Sequence, residues 1–181
     1  MKFVKIFLLI LVPLPIYFIG RFFLIRMKSK KIESEKGFNW KNFSLDEIDT
    51  TKNGATDEQL KNADFAITNM LQPHRDLYGK PMHVNSGIRD YIPEGGSLTS
   101  HHKQGFAFDV EAWNYLNSEN IEMAKILANS DIPFTQLIIE FGGAWVHEAY
   151  NGNNKREIKV SFGDRKKPSY KQISLQELNN M

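Results

Sequence analysis

Three side chains in this sequence have the types and spacing of a hydrolytic metal site. His102 precedes Asp109 by seven residues in Ser100-His101-His102-Lys103-Gln104-Gly105-Phe106-Ala107-Phe108-Asp109, and a further imidazole, His147, follows in Trp145-Val146-His147. Two histidines and an aspartate leave a fourth position for water, the pattern of catalytic zinc sites, whereas structural sites are closed by four protein ligands, often cysteines. The chain has no cysteine. These residues point to one Zn2+ in a hydrolytic centre rather than to a structural staple.

Strand alternation sorts the remaining candidates. In a strand over 106–110, Gly105, Ala107 and Asp109 share one face and Phe106, Phe108 and Val110 the other. The bulky face suits a core, and the small face leaves room beside Asp109. The plain alternatives are an aspartate held by backbone amides and, for His147, a satisfied core histidine. If Gly142-Gly143 is a two-residue hairpin loop, Phe141 pairs with Ala144, Glu140 with Trp145 and Ile138 with His147. Glu140, Trp145 and His147 then share a face, with Glu140 a diagonal neighbour of His147 about 7–8 Å away. That reach suits a general base that does not itself ligate the metal. Glu148 turns to the opposite face and ranks second. Arg89, where a strand runs into a loop, suits a substrate carboxylate or a developing oxyanion. His74, His83 and His101 have no partner that spacing supplies, and His101 is read as a non-ligand because adjacent residues point apart.

The elements that must position these residues follow from pattern. Thr56-Asp57-Glu58-Gln59 is a capping box, and Leu60, Ala63, Ile67, Met70 and Leu71 recur at helical spacing, which predicts a helix over 57–77. Strands are predicted at 82–86, 106–110, 136–141, 144–150 and 157–162, a loop over 89–99, a helix over 118–129, and a terminal helical turn capped by Ser174. Few helices and closely spaced hairpin strands predict an α+β fold, a small antiparallel sheet with flanking helices.

Composition bounds the rest. At 181 residues the chain has room for one domain and an appendage. Residues 1–31 carry Lys2, Lys5, Arg21, Arg26, Lys28, Lys30, Lys31 and no acid, so the remaining 16 basic and 21 acidic residues make the rest net −5. That sign argues against nucleic acid as a partner, which needs a basic face. Ile6–Gly20 is uncharged, and extended to Ile25 it holds only Arg21. Twenty helical residues span about 30 Å, enough for a hydrocarbon core. The expected organisation is a membrane anchor at 1–25, a polar linker at 26–42 and a domain at 43–181. A cleaved signal peptide, giving a secreted domain, is the rival, but no small-residue cleavage site follows the apolar run. Basic residues after the run favour a cytoplasmic domain by the positive-inside rule. The substrate implied below favours the periplasm or the outside of the membrane, and that placement is taken here.

The pattern Ser-x-His-x-x-Gly-x-Ala-x-Asp, filled by Ser100, His102, Gly105, Ala107 and Asp109, with Trp145 and His147 downstream, closely resembles the zinc D-alanyl-D-alanine carboxypeptidase family. That family includes vancomycin-resistance D,D-peptidases and phage endolysins and shares its fold with the Hedgehog signalling domain. The resemblance runs from about Phe43 to Phe162 and includes Leu71-Gln72-Pro73-His74-Arg75-Asp76, Val84-Asn85-Ser86-Gly87-Ile88-Arg89, Gly95-Gly96-Ser97 and Gln136-Leu137-Ile138-Ile139-Glu140. It implies metal ligands at His102, Asp109 and His147, a substrate-binding arginine at Arg89, and the peptide stem of peptidoglycan as substrate. Ser100 and Trp145 are expected to contact that substrate. Three positions depart from the pattern: Ile88 stands where the family usually has tyrosine, the loop from Arg89 to Gly95 is short, and Ala144 lies where several members place the acidic base. The expected activity is zinc-dependent cleavage of stem peptides, as a D,D-carboxypeptidase or an endopeptidase. The alternative is a non-catalytic zinc-binding wall module, which the missing acid at Ala144 favours.

Overall fold

The computed structural model describes residues 35–91 and 99–181. The expected anchor, most of the linker and the centre of the 89–99 loop lie outside these residues. Among the described residues no helix is long and apolar enough to cross a membrane. The described end of the linker packs on the domain: Phe38 stacks on Trp40, whose indole N–H donates to Asp64 at 2.7 Å.

A single turn, α1 (Leu45–Ile48), precedes the long helix predicted from apolar spacing. That helix runs as α2 (Asp57–Ala66), one π-helical stretch (Ile67–Leu71) and α3 (Gln72–Tyr78). Its start is the expected capping box: Gln59 N–H donates to Thr56 Oγ1 at 3.2 Å, and Thr56 N–H to Gln59 Oε1 at 2.9 Å. Gly79, with φ of 75°, ends it. Then follow β1 (Met82–Ser86), a one-turn helix α4 (His101–Gln104), β2 (Ala107–Ala112), α5 (Asn117–Ala128), β3 (Gln136–Glu140), β4 (Trp145–Ala149), β5 (Glu157–Asp164), β6 (Lys167–Gln172) and α6 (Leu175–Asn179).

The strands form one six-stranded sheet in the order β1-β2-β4-β3-β5-β6. The expected all-antiparallel sheet is corrected at one pair: β3 and β5 run parallel. After β4 the chain crosses the start of β3, where Arg156 N–H donates to Phe134 and Glu157 N–H to Thr135. It therefore enters β5 in the direction of β3. Arg156 fixes this crossing by donating to the carbonyls of Ile132, Ala128 and Ser130 at 2.8, 2.8 and 3.1 Å.

The sheet has two different faces. Phe108, Val110, Leu137, Ile139, Val146 and Ile158 point into a core with Ile67, Met70 and Leu71 of the long helix and Met123 and Leu127 of α5. Full burial of such side chains stabilises by about 1.5–3 kcal/mol each. On the other face, the registers align Ser86, Asp109, His147, Ile138, Lys159 and Gln172 in one row across all six strands. That row is the floor of the candidate site.

Candidate metal centre

Four elements bring the predicted ligands together. β2 and β4 place Asp109 and His147 directly opposite each other. Ser100 caps α4, its hydroxyl accepting from His102 N–H at 3.3 Å, and Gly105 closes the turn in the left-handed region, φ 86°. The turn therefore presents His102 above the strand pair. α4 is fixed in turn by α2, where Gln59 Nε2 donates to Lys103 O and Asn62 Nδ2 to Gln104 O, both at 2.8 Å. A Cβ on Gly105 would stand 2.3 Å from Gln59 O, so this approach excludes any larger residue.

The donor atoms converge. His102 Nε2, Asp109 Oδ1 and His147 Nδ1 lie 3.0–3.1 Å from one another. Tetrahedral zinc with N and O ligands at about 2.0–2.1 Å sets them about 3.3 Å apart, close to this spacing. The chemistry of the set also fits. His102 Nδ1 faces Gly87 O at 2.7 Å. A carbonyl accepts only, so Nδ1 carries the proton and Nε2 turns a lone pair to the cluster. Asp109 divides its oxygens, Oδ1 toward both imidazoles and Oδ2 toward Arg89 Nη2 at 3.1 Å. Burial alone would raise the Asp109 carboxyl, but the charges and hydrogen bonds of His102 and His147 outweigh it and hold it well below the usual carboxylate range. The three residues can hold one metal ion, and the donor set and an open side suit zinc.

Gly87 is the support for His102. A Cβ there would meet Ile48 O at 2.2 Å, and its carbonyl is the one that orients the imidazole. We expect Gly87→Ala to displace that carbonyl and weaken zinc binding by about 10- to 100-fold, the usual cost of losing such a partner. Competition with a chelating dye measures it. Native affinity in this variant would show that the carbonyl does not orient the ligand.

The cavity above this floor has a volume of about 650 Å³ and is lined by Arg89, Ser100, His101, Glu140, Trp145 and Tyr170 together with the three donors. Glu140 lies as the register predicts, paired with Trp145 while Ile138 pairs with His147. The expected two-residue loop is corrected to a four-residue turn. Phe141, Gly142 and Gly143 all take positive φ, and both Gly143 N–H and Ala144 N–H donate to Glu140 O, so Phe141 and Ala144 do not pair. The register survives because the turn gains its residues symmetrically. Glu140 is buried, 6 % exposed, and its carboxylate accepts from the Ser161 hydroxyl. Burial raises its carboxyl above the ordinary range, against the lowering by Ser161 and His147. Ser161 was not foreseen, because the parallel pairing of β5 with β3 that sets it there has no short-range signal.

Glu148 points away into the core, as alternation requires. It is fully buried with His74, whose Nδ1 stands 3.0 and 3.1 Å from the two Glu148 oxygens while Nε2 faces Met123 O at 2.9 Å. His74 thus has a partner that spacing could not supply, 74 positions along the chain. Burial opposes its charge, but the Glu148 carboxylate prevails and raises its pKa above the ordinary value. His83 stacks on Tyr115. His101 is no member of the donor cluster, yet it lines the cavity. Burial first, then the neighbouring His147 and His102, lower its pKa.

A protein-family model described as Peptidase M15 matches residues 41–148, more than half of the chain. No curated protein and no solved structure matches it. The matched stretch contains Arg89, His102, Asp109, Glu140 and His147, and ends before β5 and β6.

Proposed function

The chain belongs to the M15 peptidase family, and on that premise we propose that it is a zinc metallopeptidase that hydrolyses the stem peptides of peptidoglycan. The observation that carries the reading is the convergence of His102, Asp109 and His147 at the floor of an open cavity, with a buried carboxylate, Glu140, on the same face. Zinc at such a site makes water acidic enough to be nucleophilic near neutral pH and polarises a carbonyl. In this proposal Glu140 accepts the proton of the attacking water and returns it to the leaving amine. A carboxyl raised by burial suits that exchange. Arg89 holds Asp109 in place and adds positive charge to the wall. Ser100 fixes His102 through the cap and, with Trp145, borders the bound peptide.

Digestion of purified peptidoglycan with the zinc-loaded protein, analysed by mass spectrometry, tests the activity. New stem-peptide fragments that vanish with chelator are expected. A protein that loads zinc and binds stem peptides without releasing products would make the non-catalytic wall module the better reading. The proposed location, outside the cytoplasmic membrane and held there by residues 1–25, is tested by protease access in spheroplasts. A domain protected until the membrane is lysed would overturn it.

The Ser161 contact yields a pH expectation. A hydroxyl donating to a carboxylate favours the charged form and lowers its pKa. Removing it in Ser161→Ala raises the Glu140 pKa, so less base is ionised at a given acidic pH. The acid limb of the kcat profile should move to higher pH, with zinc content unchanged. An unmoved limb would separate Ser161 from the base.

A further inference from the structure

β2 carries the site face past the metal donors. Asp109 and Glu111 turn to that face, while Val110 and Ala112 are buried in the core. Trp113 continues the series one step beyond the strand, and Tyr115 and Leu116 follow in the connection to α5. These three side chains are 48, 56 and 56 % exposed. Tyr115 turns back to β1: its ring lies 4.6 Å from that of His83 and within 12° of parallel. His83 stands opposite Glu111 in the register of β1 and β2. None of these rings lines the cavity above the donors.

A group of large apolar side chains left in water marks a binding surface, and this connection is built to hold its rings outward. Tyr115 has φ of 57°, in the left-handed region that a bulky residue adopts only against its preference. Tyr115 N–H donates to Ala112 O at 3.0 Å, and Ala112 N–H donates to Oδ1 of the buried Asn120 at 2.6 Å. Asn120 Nδ2 donates in turn to Gly143 O at 2.8 Å, which ties the connection to the turn beside Glu140. The rings are therefore held at a fixed place relative to the metal donors.

The surface selects its ligand. Flat exposed rings suit the apolar C–H face of a pyranose. Beside them Glu111, whose carboxylate accepts from Asn85 Nδ2, offers acceptor oxygens to sugar hydroxyls and to an acetamido N–H. Its charge opposes an anionic lipid headgroup. Spacing links the sugar to the substrate proposed above. Trp113 lies four residues from Asp109, about 13 Å at the rise of a strand. Four extended residues cover about 13–14 Å, the reach from the amino sugar to the last bond of a pentapeptide stem.

We infer that Trp113 and the Tyr115–His83 pair form a sugar subsite, which binds the N-acetylated amino sugar that carries the stem peptide. This rests on the peptidoglycan reading of the site and makes the enzyme favour stems still joined to glycan.

Two measurements on the zinc-loaded full chain test it. The first is calorimetric titration with tetra-N-acetylchitotetraose, a neutral glycan that holds no stem peptide. Saturable binding is expected, weakened roughly tenfold in Trp113→Ala and in Tyr115→Asn, the upper scale of a single ring contact. Asparagine tolerates the left-handed backbone, so Tyr115→Asn removes the ring without straining the loop. Trp113→Phe keeps a ring and should recover part of the affinity. Unchanged melting temperatures verify folding. The second measurement is kcat/KM for a disaccharide pentapeptide against the same pentapeptide without sugar. Wild type should favour the first by roughly tenfold, and either ring-deleting variant should bring the ratio toward one. No binding of the glycan by wild type, or binding that both variants keep, overturns the inference. So does a dimer in sedimentation, or attachment to phosphatidylglycerol vesicles, that Trp113→Ala abolishes, since another occupant then covers the rings. Glycan binding lost in the variants, with no cleavage by wild type, would leave the subsite standing without the peptidase reading. Cleavage by wild type at equal kcat/KM with and without the sugar would do the reverse.

Discussion

Glu140→Gln should retain zinc at the wild-type level and lose peptide cleavage by about 10²–10⁴-fold, the typical contribution of a general base. Glutamine keeps the length of the side chain and can still accept from the Ser161 hydroxyl, so β3 and β5 stay joined. It cannot take a proton from water. None of the three donors depends on Glu140, whose strand partner is Trp145 rather than a ligand. Metal analysis and single-turnover kinetics on the same preparation read the two effects separately. Zinc loss in parallel with activity would make Glu140 part of the metal's support. Cleavage at the wild-type rate would remove it from the chemistry.

The register that supports this expectation was legible in the sequence because strand alternation has a fixed period of two. Ile138 opposite His147 and Glu140 opposite Trp145 follow from the glycines at 142 and 143 alone. The His102, Asp109 and His147 set was legible because few residue types ligate zinc and the chain has five histidines to choose among. What stayed hidden lies in non-local or weakly patterned structure. β6, Lys-Pro-Ser-Tyr-Lys-Gln, is an exposed edge strand with charged residues and a proline, the composition that protects edges and erases hydrophobic alternation. The turn α4 is too short for periodicity, although its serine cap and closing glycine were visible signals. The partners of Glu140 and His74 come from residues 21 and 74 positions away, which no local rule supplies.

The same alternation that turns Glu140 to the cavity turns Glu148 to the core, and the second large effect follows from that burial. Glu148→Ala should cost about 3–5 kcal/mol of stability, the scale for breaking a buried pair from one side, and lower the melting temperature by about 10 °C or more. The reason lies in His74. Its Nε2 faces the Met123 carbonyl and must carry a proton, and the Glu148 carboxylate against Nδ1 favours the charged ring inside an apolar core. Removing the carboxylate strands either a charge or an unsatisfied nitrogen. Glu148→Gln should be far milder, because the amide N–H can donate to Nδ1 of a neutral ring while Nε2–H still serves Met123. That variant should fold near wild type and cleave at a similar rate. Replacing both residues by apolar side chains should recover part of the loss, since the pair's cost of burial disappears with it. Thermal unfolding of the three variants measures the pattern. If Glu148→Gln folds normally but is inactive while Glu140→Gln is active, the two glutamates exchange roles, and the base reaches the site from the core face.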